Sequence, residues 1–98
     1  MADISLQRNH NFGVDTGKEK LSRLVNKFQQ SNPSMIDRID WNADKTGADA
    51  EGKHFKAQFT LTAAQVKVEI ELKGFAAKMA KGIVQSKLEK TVGEEFPV

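Results

Sequence analysis

The side chain best suited to proton-transfer chemistry in this chain is His10, which follows Arg8 in a polar segment that ends at Asn11. An imidazole titrates close to neutral pH and can serve as a general acid or base. Such catalysis also needs a partner and a pocket, and the sequence supplies neither a nucleophile motif nor a neighbouring acidic pair. We therefore interpret His10 as a surface or turn-stabilising residue. His54 falls on the polar side of an extended segment, and two isolated histidines do not make a metal site.

Acidic residues between positions 37 and 51 offer oxygen ligands that a cation could use. A calcium loop of the EF-hand type needs ligands at set positions, a central glycine and a final glutamate, and this stretch lacks that register. We expect these residues in turns and on a solvated face: Asp37, Asp40, Asp44, Asp49 and Glu51. Gly13 and Gly17 belong to no GxGxxG or GKS-type motif, so we interpret them as turn and helix-entry glycines. No cofactor and no metal is expected.

Composition narrows the class of protein. With 98 residues, 39% hydrophobic and 29% charged, the chain is expected to fold as one domain spanning 1–98. The 15 basic and 13 acidic residues are interleaved, which argues against a nucleic-acid partner.

Because cysteine is absent, disulfides, thiol catalysis and Cys-ligated zinc are excluded. No apolar run approaches the roughly 18 to 20 residues of a bilayer span, and no signal peptide is evident. We expect a cytoplasmic protein without a transmembrane segment.

The clearest structural pattern lies between positions 55 and 72, where apolar and polar residues alternate through two consecutive runs. Side chains on a strand point alternately to opposite faces, so this pattern predicts a β-hairpin with one apolar and one wet face. The apolar positions are Phe55, Ala57, Phe59, Leu61, Val66, Val68, Ile70 and Leu72.

Weaker patterns predict three more strands. Ile4 and Leu6 indicate a first strand that gives way to a polar turn beginning at Arg8. Two others are predicted within 36–42 and 46–51, with inward-facing residues Ile39, Trp41, Ala48 and Ala50.

Two helices complete the prediction. The first is expected over Thr16 to Gln30, with Asp15 as N-cap and with Ser31, Asn32 and Pro33 ending it. The second is expected over Phe75 to Val92, followed by a frayed tail after Gly93. It carries two apolar lines, Phe75, Met79 and Ile83 on one side and Val84, Leu88 and Val92 on the other, so it should contact more than one surface.

The predicted order β-α-β-β-β-β-α indicates an α+β fold. We expect an antiparallel sheet of about four to five strands with the two helices on one face, which leaves the other face in water.

A family resemblance rests on residues distributed along nearly the whole chain. The segment from Ile4 to His10 with Gly13, the mid-chain Trp41, the run Val66 to Leu72, and Phe75 followed by a lysine-rich helix resemble the polyhydroxyalkanoic acid system family. This resemblance implies a small bacterial protein associated with intracellular polyester storage granules. It implies no enzymatic activity and supplies no agreed set of active residues.

The resemblance favours a non-enzymatic binding or regulatory role, with the polyester granule surface or another granule protein as partner and storage granules as the location. A homodimeric interaction module and a small-ligand carrier are the alternatives, and the protein could itself be a homodimer. The candidate interaction surface combines the positions that match the family pattern with the apolar lines of the second helix. Its residues are Arg8, His10, Trp41, Phe75, Met79, Ile83, Val84 and Leu88.

Overall fold

A computed structural model describes residues 3–31 and 36–97 of the chain. Within those residues, a five-stranded antiparallel sheet of spatial order β1-β5-β4-β3-β2 is accompanied by three helices. The elements are β1 (Ile4–Asn9), α1 (Gly13–Ser31), β2 (Arg38–Trp41), β3 (Gly47–Gly52), β4 (Phe55–Leu61), β5 (Gln65–Leu72), α2 (Phe75–Met79) and α3 (Lys81–Glu95). The predicted α+β class and its antiparallel sheet are confirmed.

Strand pairing lines up the inward-facing side chains in rows that cross the sheet. One row, from the β1 edge to the β2 edge, is formed by Leu6, Val68, Phe59, Ala48 and Trp41. Its central members Val68 and Phe59 are each 1% exposed, whereas Leu6 and Trp41 at the two edges are half-buried. The alternation of the sequence therefore corresponds to one buried face, and the buried fraction declines toward the edges.

The two long helices lie side by side on the inner face. Phe28 of α1 packs against Phe55 and Phe59 of β4, with ring centroids 5.6 and 6.0 Å apart, while α3 contacts α1 and β1. A helix about 10 Å across covers about two strands spaced at about 4.8 Å. Two helices therefore cover about four strands, and β2 is left at the uncovered edge.

The first helix begins earlier than the sequence predicts. It starts at Gly13, whose φ of 77° suits glycine, so Asp15 lies in the first turn rather than at the N-cap. Gly17 is a buried helical residue and not a helix-entry glycine. A Cβ at Gly17 would lie 3.0 Å from Leu61 Cδ2, so its missing side chain permits close approach of α1 to β4. The predicted helix end at Asn32 and Pro33 lies outside the described residues.

The first strand is longer than predicted. Arg8 and Asn9, which were expected in a turn, continue the ladder with β5 by pairing with Val66 and Gln65. The polar character of these two side chains misled the prediction, since an edge strand can carry polar residues while its backbone remains paired.

The C-terminal helical segment is two helices rather than one. At Ala80, with φ of −86° and ψ of 4°, the backbone leaves α-helical geometry, and the Ala80 amide bonds to Ala77 at 3.1 Å. The expected frayed tail is also wrong. Helix α3 continues to Glu95, and Phe96 is 0% exposed because it packs into the core.

Candidate functional site

The most exposed large apolar side chains among the described residues lie on α2 and in the first turn of α3. Phe75, Met79 and Ile83 are 81%, 73% and 64% exposed. Phe75 and Met79 lie one turn apart on α2, and Ile83 follows beyond the break at Ala80, in the first turn of α3. We call these three residues the apolar stripe. Soluble monomers rarely leave contiguous apolar groups uncovered, so the apolar stripe is the leading candidate for an association surface.

The second apolar line of the same segment belongs to the core. Val84 is 2% exposed, and Leu88 and Val92 are 0% exposed. Because these side chains pack with the residues of α1 and the sheet, Val84 and Leu88 are not part of an exposed surface. The candidate surface on this segment is thus reduced to the apolar stripe.

Lysines extend the apolar stripe along α3. Lys87 and Lys90 are exposed and follow Ile83 by four and seven residues, so they continue the same side of the helix. The surface therefore changes from apolar to cationic within about two turns.

A polar anchor fixes α2 beside the start of β1. Asp3 accepts a hydrogen bond from the Leu72 amide at 2.8 Å and one from Lys78 Nζ at 3.1 Å. The Leu72 amide and then Lys78 hold the pKa of the Asp3 carboxyl below its ordinary value. This anchor holds the short helix against the sheet and leaves the side chains of Phe75 and Met79 in solvent.

An ion-pair cluster joins the end of α3 to α1. Glu95 is 6% exposed and accepts hydrogen bonds from Arg23 Nε at 2.8 Å and from Lys27 Nζ at 2.6 Å. Burial raises the pKa of Glu95, but the contacts with Lys27 and Arg23 lower it by more, so the net shift is downward. The bond to Glu95 raises the pKa of Lys27. We call this group the Glu95 cluster, and it holds α3 in place behind the apolar stripe.

Arg8 and His10 have structural contacts beneath the end of α3. His10 Nε2 lies 2.9 Å from the Thr62 carbonyl oxygen, and His10 Nδ1 accepts a hydrogen bond from the Phe12 amide at 3.2 Å. This pattern fits a neutral ring with its proton on Nε2. Arg8 Nη1 donates to the Phe96 carbonyl at 3.3 Å, and the Phe96 ring lies 5.3 Å from that of His10. This geometry agrees with a turn-stabilising role of His10, whereas the expectation of a surface residue is wrong because His10 is buried.

Trp41 is separated from that pair by the full width of the sheet. Arg8 and His10 lie at or just beyond the end of β1, which forms one edge, while Trp41 ends β2 at the opposite edge. The three residues that match the family pattern therefore do not form one patch.

The acidic residues between 37 and 51 serve local structure. Arg38 pairs with Asp40 at 3.1 Å and with Glu51 at 3.2 Å across β2 and β3. Asp44 accepts two hydrogen bonds from Thr46 in the β2–β3 turn, which lower the pKa of Asp44. Across residues 3–31 and 36–97, no group of three or more histidine or acidic side chains could hold a metal ion.

The described part of the chain contains three helices. None of its helices combines the length and apolar character that crossing a bilayer would need.

Sequence patterns did not point to Glu95, because a single glutamate near the predicted frayed end carries no signal of burial. A weak signal was present in the spacing of Arg23 and Lys27, which place two cations on adjacent turns of α1. Glu95 is their partner because α3 packs beside α1 in the tertiary structure.

The architecture and the apolar stripe together define a small two-layer α+β protein that exposes three large apolar side chains beside a packed core. Over residues 4–96 the sequence matches the family described as "Putative polyhydroxyalkanoic acid system protein". The chain belongs to this family, as its resemblance indicated. No curated protein and no solved structure matches the chain.

Proposed function

We propose that this protein is a non-enzymatic binding or regulatory protein of the polyhydroxyalkanoate storage-granule system and that it attaches to the polyester surface through the apolar stripe. The observation that carries the proposal is the exposure of Phe75 and Met79 on α2 and of Ile83 in the first turn of α3. Family membership supplies the polyester context.

The energetics favour attachment by this surface. Moving a large apolar side chain from water to an apolar environment contributes roughly 1.5–3 kcal/mol. Three such side chains can offset much of the entropy lost when a small protein is immobilised. The ammonium groups of Lys87 and Lys90 can donate hydrogen bonds to ester carbonyl oxygens at the polymer surface.

A role without catalysis is supported by the contacts of His10. Both of its ring nitrogens take part in hydrogen bonds to the backbone of Phe12 and Thr62. The imidazole is therefore occupied in holding the segment after β1 rather than directed at a substrate.

Co-sedimentation with purified polyester particles tests the proposal. The wild-type protein should pellet with the particles in excess of an unrelated basic protein of similar size. The triple variant Phe75→Ser, Met79→Ser, Ile83→Ser should bind at least about tenfold more weakly, since each 1.4 kcal/mol of lost contact is about a factor of ten.

The control variant is Val14→Ser, which removes an apolar side chain that is 36% exposed on α1. It should pellet like the wild type, and both variants should keep the wild-type circular dichroism spectrum. Absence of wild-type co-sedimentation above the basic control would contradict direct attachment. A dimer seen by light scattering and abolished in the triple variant, without co-sedimentation, would support the homodimer alternative instead.

A further inference from the structure

A second surface, on the opposite edge of the sheet from β1, forms an open groove between α1 and the end of β2. Its volume is about 570 Å³, within the range of roughly 300–1,000 Å³ found for small-molecule sites. We call it the Trp41 groove. Its lining residues are Lys18, Glu19, Ser22, Arg23, Trp41 and Lys45.

The groove lies between α1 and the β2 edge of the sheet. Helix α1 packs on β4, and the next residue of the inward-facing row toward β2 is the small Ala48. Trp41 follows at the end of that row and stays half-buried. The indole therefore forms part of the wall of an open depression.

Cations surround this aromatic wall. Lys45, at φ of 63° in the β2–β3 turn, places its Nζ 5.9 Å from the centre of the Trp41 ring. Lys18 approaches from α1 and lies near enough to the turn to act electrostatically on Asp44. Arg23 contributes a third positive charge, although its Nε is held by Glu95. The lining therefore holds three basic residues and one acidic residue, Glu19, while the carboxylates of Asp44 and Glu95 lie outside it, beside Lys18 and Arg23.

The concavity on the other side of Trp41 has the opposite character. Its ionisable lining residues are Asp40 and Asp49, and its volume is about 340 Å³. An anion would be repelled there and attracted to the Trp41 groove, so the choice between the two sites follows from charge.

We propose that the Trp41 groove binds a short-chain hydroxyalkanoate anion, the unit that hydrolysis of a polyhydroxyalkanoate polyester releases. The carboxylate pairs with the ammonium groups of Lys18 and Lys45. The alkyl chain lies on the Trp41 indole, and the Ser22 hydroxyl is available to the ligand hydroxyl. The proposal depends on the family's connection with this polyester and not on attachment through the apolar stripe.

The chain supplies its own probe, because it contains one tryptophan and no tyrosine. Intrinsic fluorescence therefore reports on Trp41 alone. Titration with hydroxybutyrate and hydroxyhexanoate should give a saturable change, with half-saturation at roughly 1 mM for ligands of this size. Hexylamine, with the opposite charge, should give none. Salt should weaken binding, because the groove is open to solvent.

Charge-neutralising variants test whether the ligand binds at the lysines of the Trp41 groove. Lys45→Gln and Lys18→Gln should each weaken hydroxyhexanoate binding roughly fivefold, as expected for a partly exposed ion pair. Lys56→Gln, on the exposed outer face of β4, is the matched control and should bind like the wild type. The serine triple variant of the apolar stripe should also keep groove binding, which separates this test from that of polyester attachment.

Three outcomes would overturn the proposal. These are no saturable response of the wild type, equal binding by both lysine variants and the wild type, or an equal response to inorganic phosphate. The last would mean that the Trp41 wall contributes nothing to recognition. Amide chemical shifts measured by NMR during the same titration should move for Ser22 and Lys45 and remain unchanged for Ile83.

Discussion

The two apolar lines of the C-terminal helical segment have similar side chains but opposite surroundings. Val84, Leu88 and Val92 are at most 2% exposed, whereas Phe75, Met79 and Ile83 are at least 64% exposed. The difference arises because Val84, Leu88 and Val92 lie on α3 where it docks against α1 and β1, whereas Phe75 and Met79 lie on the short helix α2 and Ile83 lies in the first turn of α3. Hydrophobicity makes a side chain suitable for burial, and the neighbouring elements decide whether burial occurs within the protein.

The difference between the two lines can be tested most directly by truncating one side chain from each line to alanine. Leu88→Ala should reduce the free energy of unfolding by about 2–5 kcal/mol, because it removes fully buried atoms and leaves a cavity. Ile83→Ala should change it by only about 0.5 kcal/mol or less, since the side chain is already in water. Urea unfolding followed by circular dichroism measures both.

Comparable destabilisation by the two substitutions would contradict the assignment of one line to the core and one to the surface. An unchanged denaturant dependence of unfolding in both variants serves as the control, because it indicates that the unfolding transition is the same.

A smaller loss of stability is expected when the contacts of His10 at the C-terminal end of α3 are removed. His10→Ala removes two hydrogen bonds and the ring that packs against Phe96, so we expect a loss of about 1–3 kcal/mol in unfolding free energy. His54→Ala is the matched control, since His54 is exposed in the β3–β4 turn. Thermal unfolding that moved equally in both variants would show that His10 has no special structural role.

The smallest effect concerns the Glu95 cluster and depends on pH. Because the pKa of Glu95 is lowered in the folded protein, its contribution is complete above the ordinary glutamate pKa of about 4.3 and is lost as pH falls through the lowered folded value. Because the pKa of Lys27 is raised, its contribution is complete below the ordinary lysine pKa of about 10.4 and is lost as pH rises through the raised value. The cluster therefore stabilises the protein fully between those two ordinary values.

Glu95→Gln should cost about 1 kcal/mol at pH 7, a modest value because Arg23 and Lys27 are partly exposed and regain water. The wild type should lose stability as pH falls through the lowered pKa of Glu95, and this loss should be smaller in the variant. Urea unfolding at pH 7 and at acid pH measures this, with Glu94→Gln as the control, since the Glu94 side chain is 51% exposed and its Oε2 lies 4.0 Å from Lys27 Nζ. An identical pH dependence in the wild type and Glu95→Gln would contradict the assigned role.

Much of the sheet could be predicted because alternation is a local property of the chain. The strands β4 and β5 lie where the pattern from Phe55 to Leu72 predicted them, and even the weak strand β3 was recognised from Ala48 and Ala50. The inward positions of Ile39 and Trp41 were also predicted correctly.

The errors occurred where tertiary contacts override local preference. Arg8 and Asn9 extend β1 because β5 provides a partner backbone. The polar character of the two residues gives no indication of this pairing. Residues 94–96 continue the packed structure because Glu95 contacts Arg23 and Lys27 and because Phe96 is buried in the core. Each of these contacts joins residues far apart along the chain.

The structure divides the predicted interaction residues by their burial and position. Phe75, Met79 and Ile83 remain a surface, Val84 and Leu88 belong to the core, and Trp41 lies beside a separate groove. The groove could not be foreseen, because it depends on which strands the two helices fail to cover.

By itself the sequence determined the α+β class, the buried face of the sheet and the two apolar lines of the C-terminal segment, because these follow from periodicities of two and about 3.6 residues. Only the tertiary structure decided which line is buried, where the helical segment breaks and which edge of the sheet stays open. Those outcomes depend on the positions of two helices of finite width on a wider sheet, and no local pattern encodes that geometry.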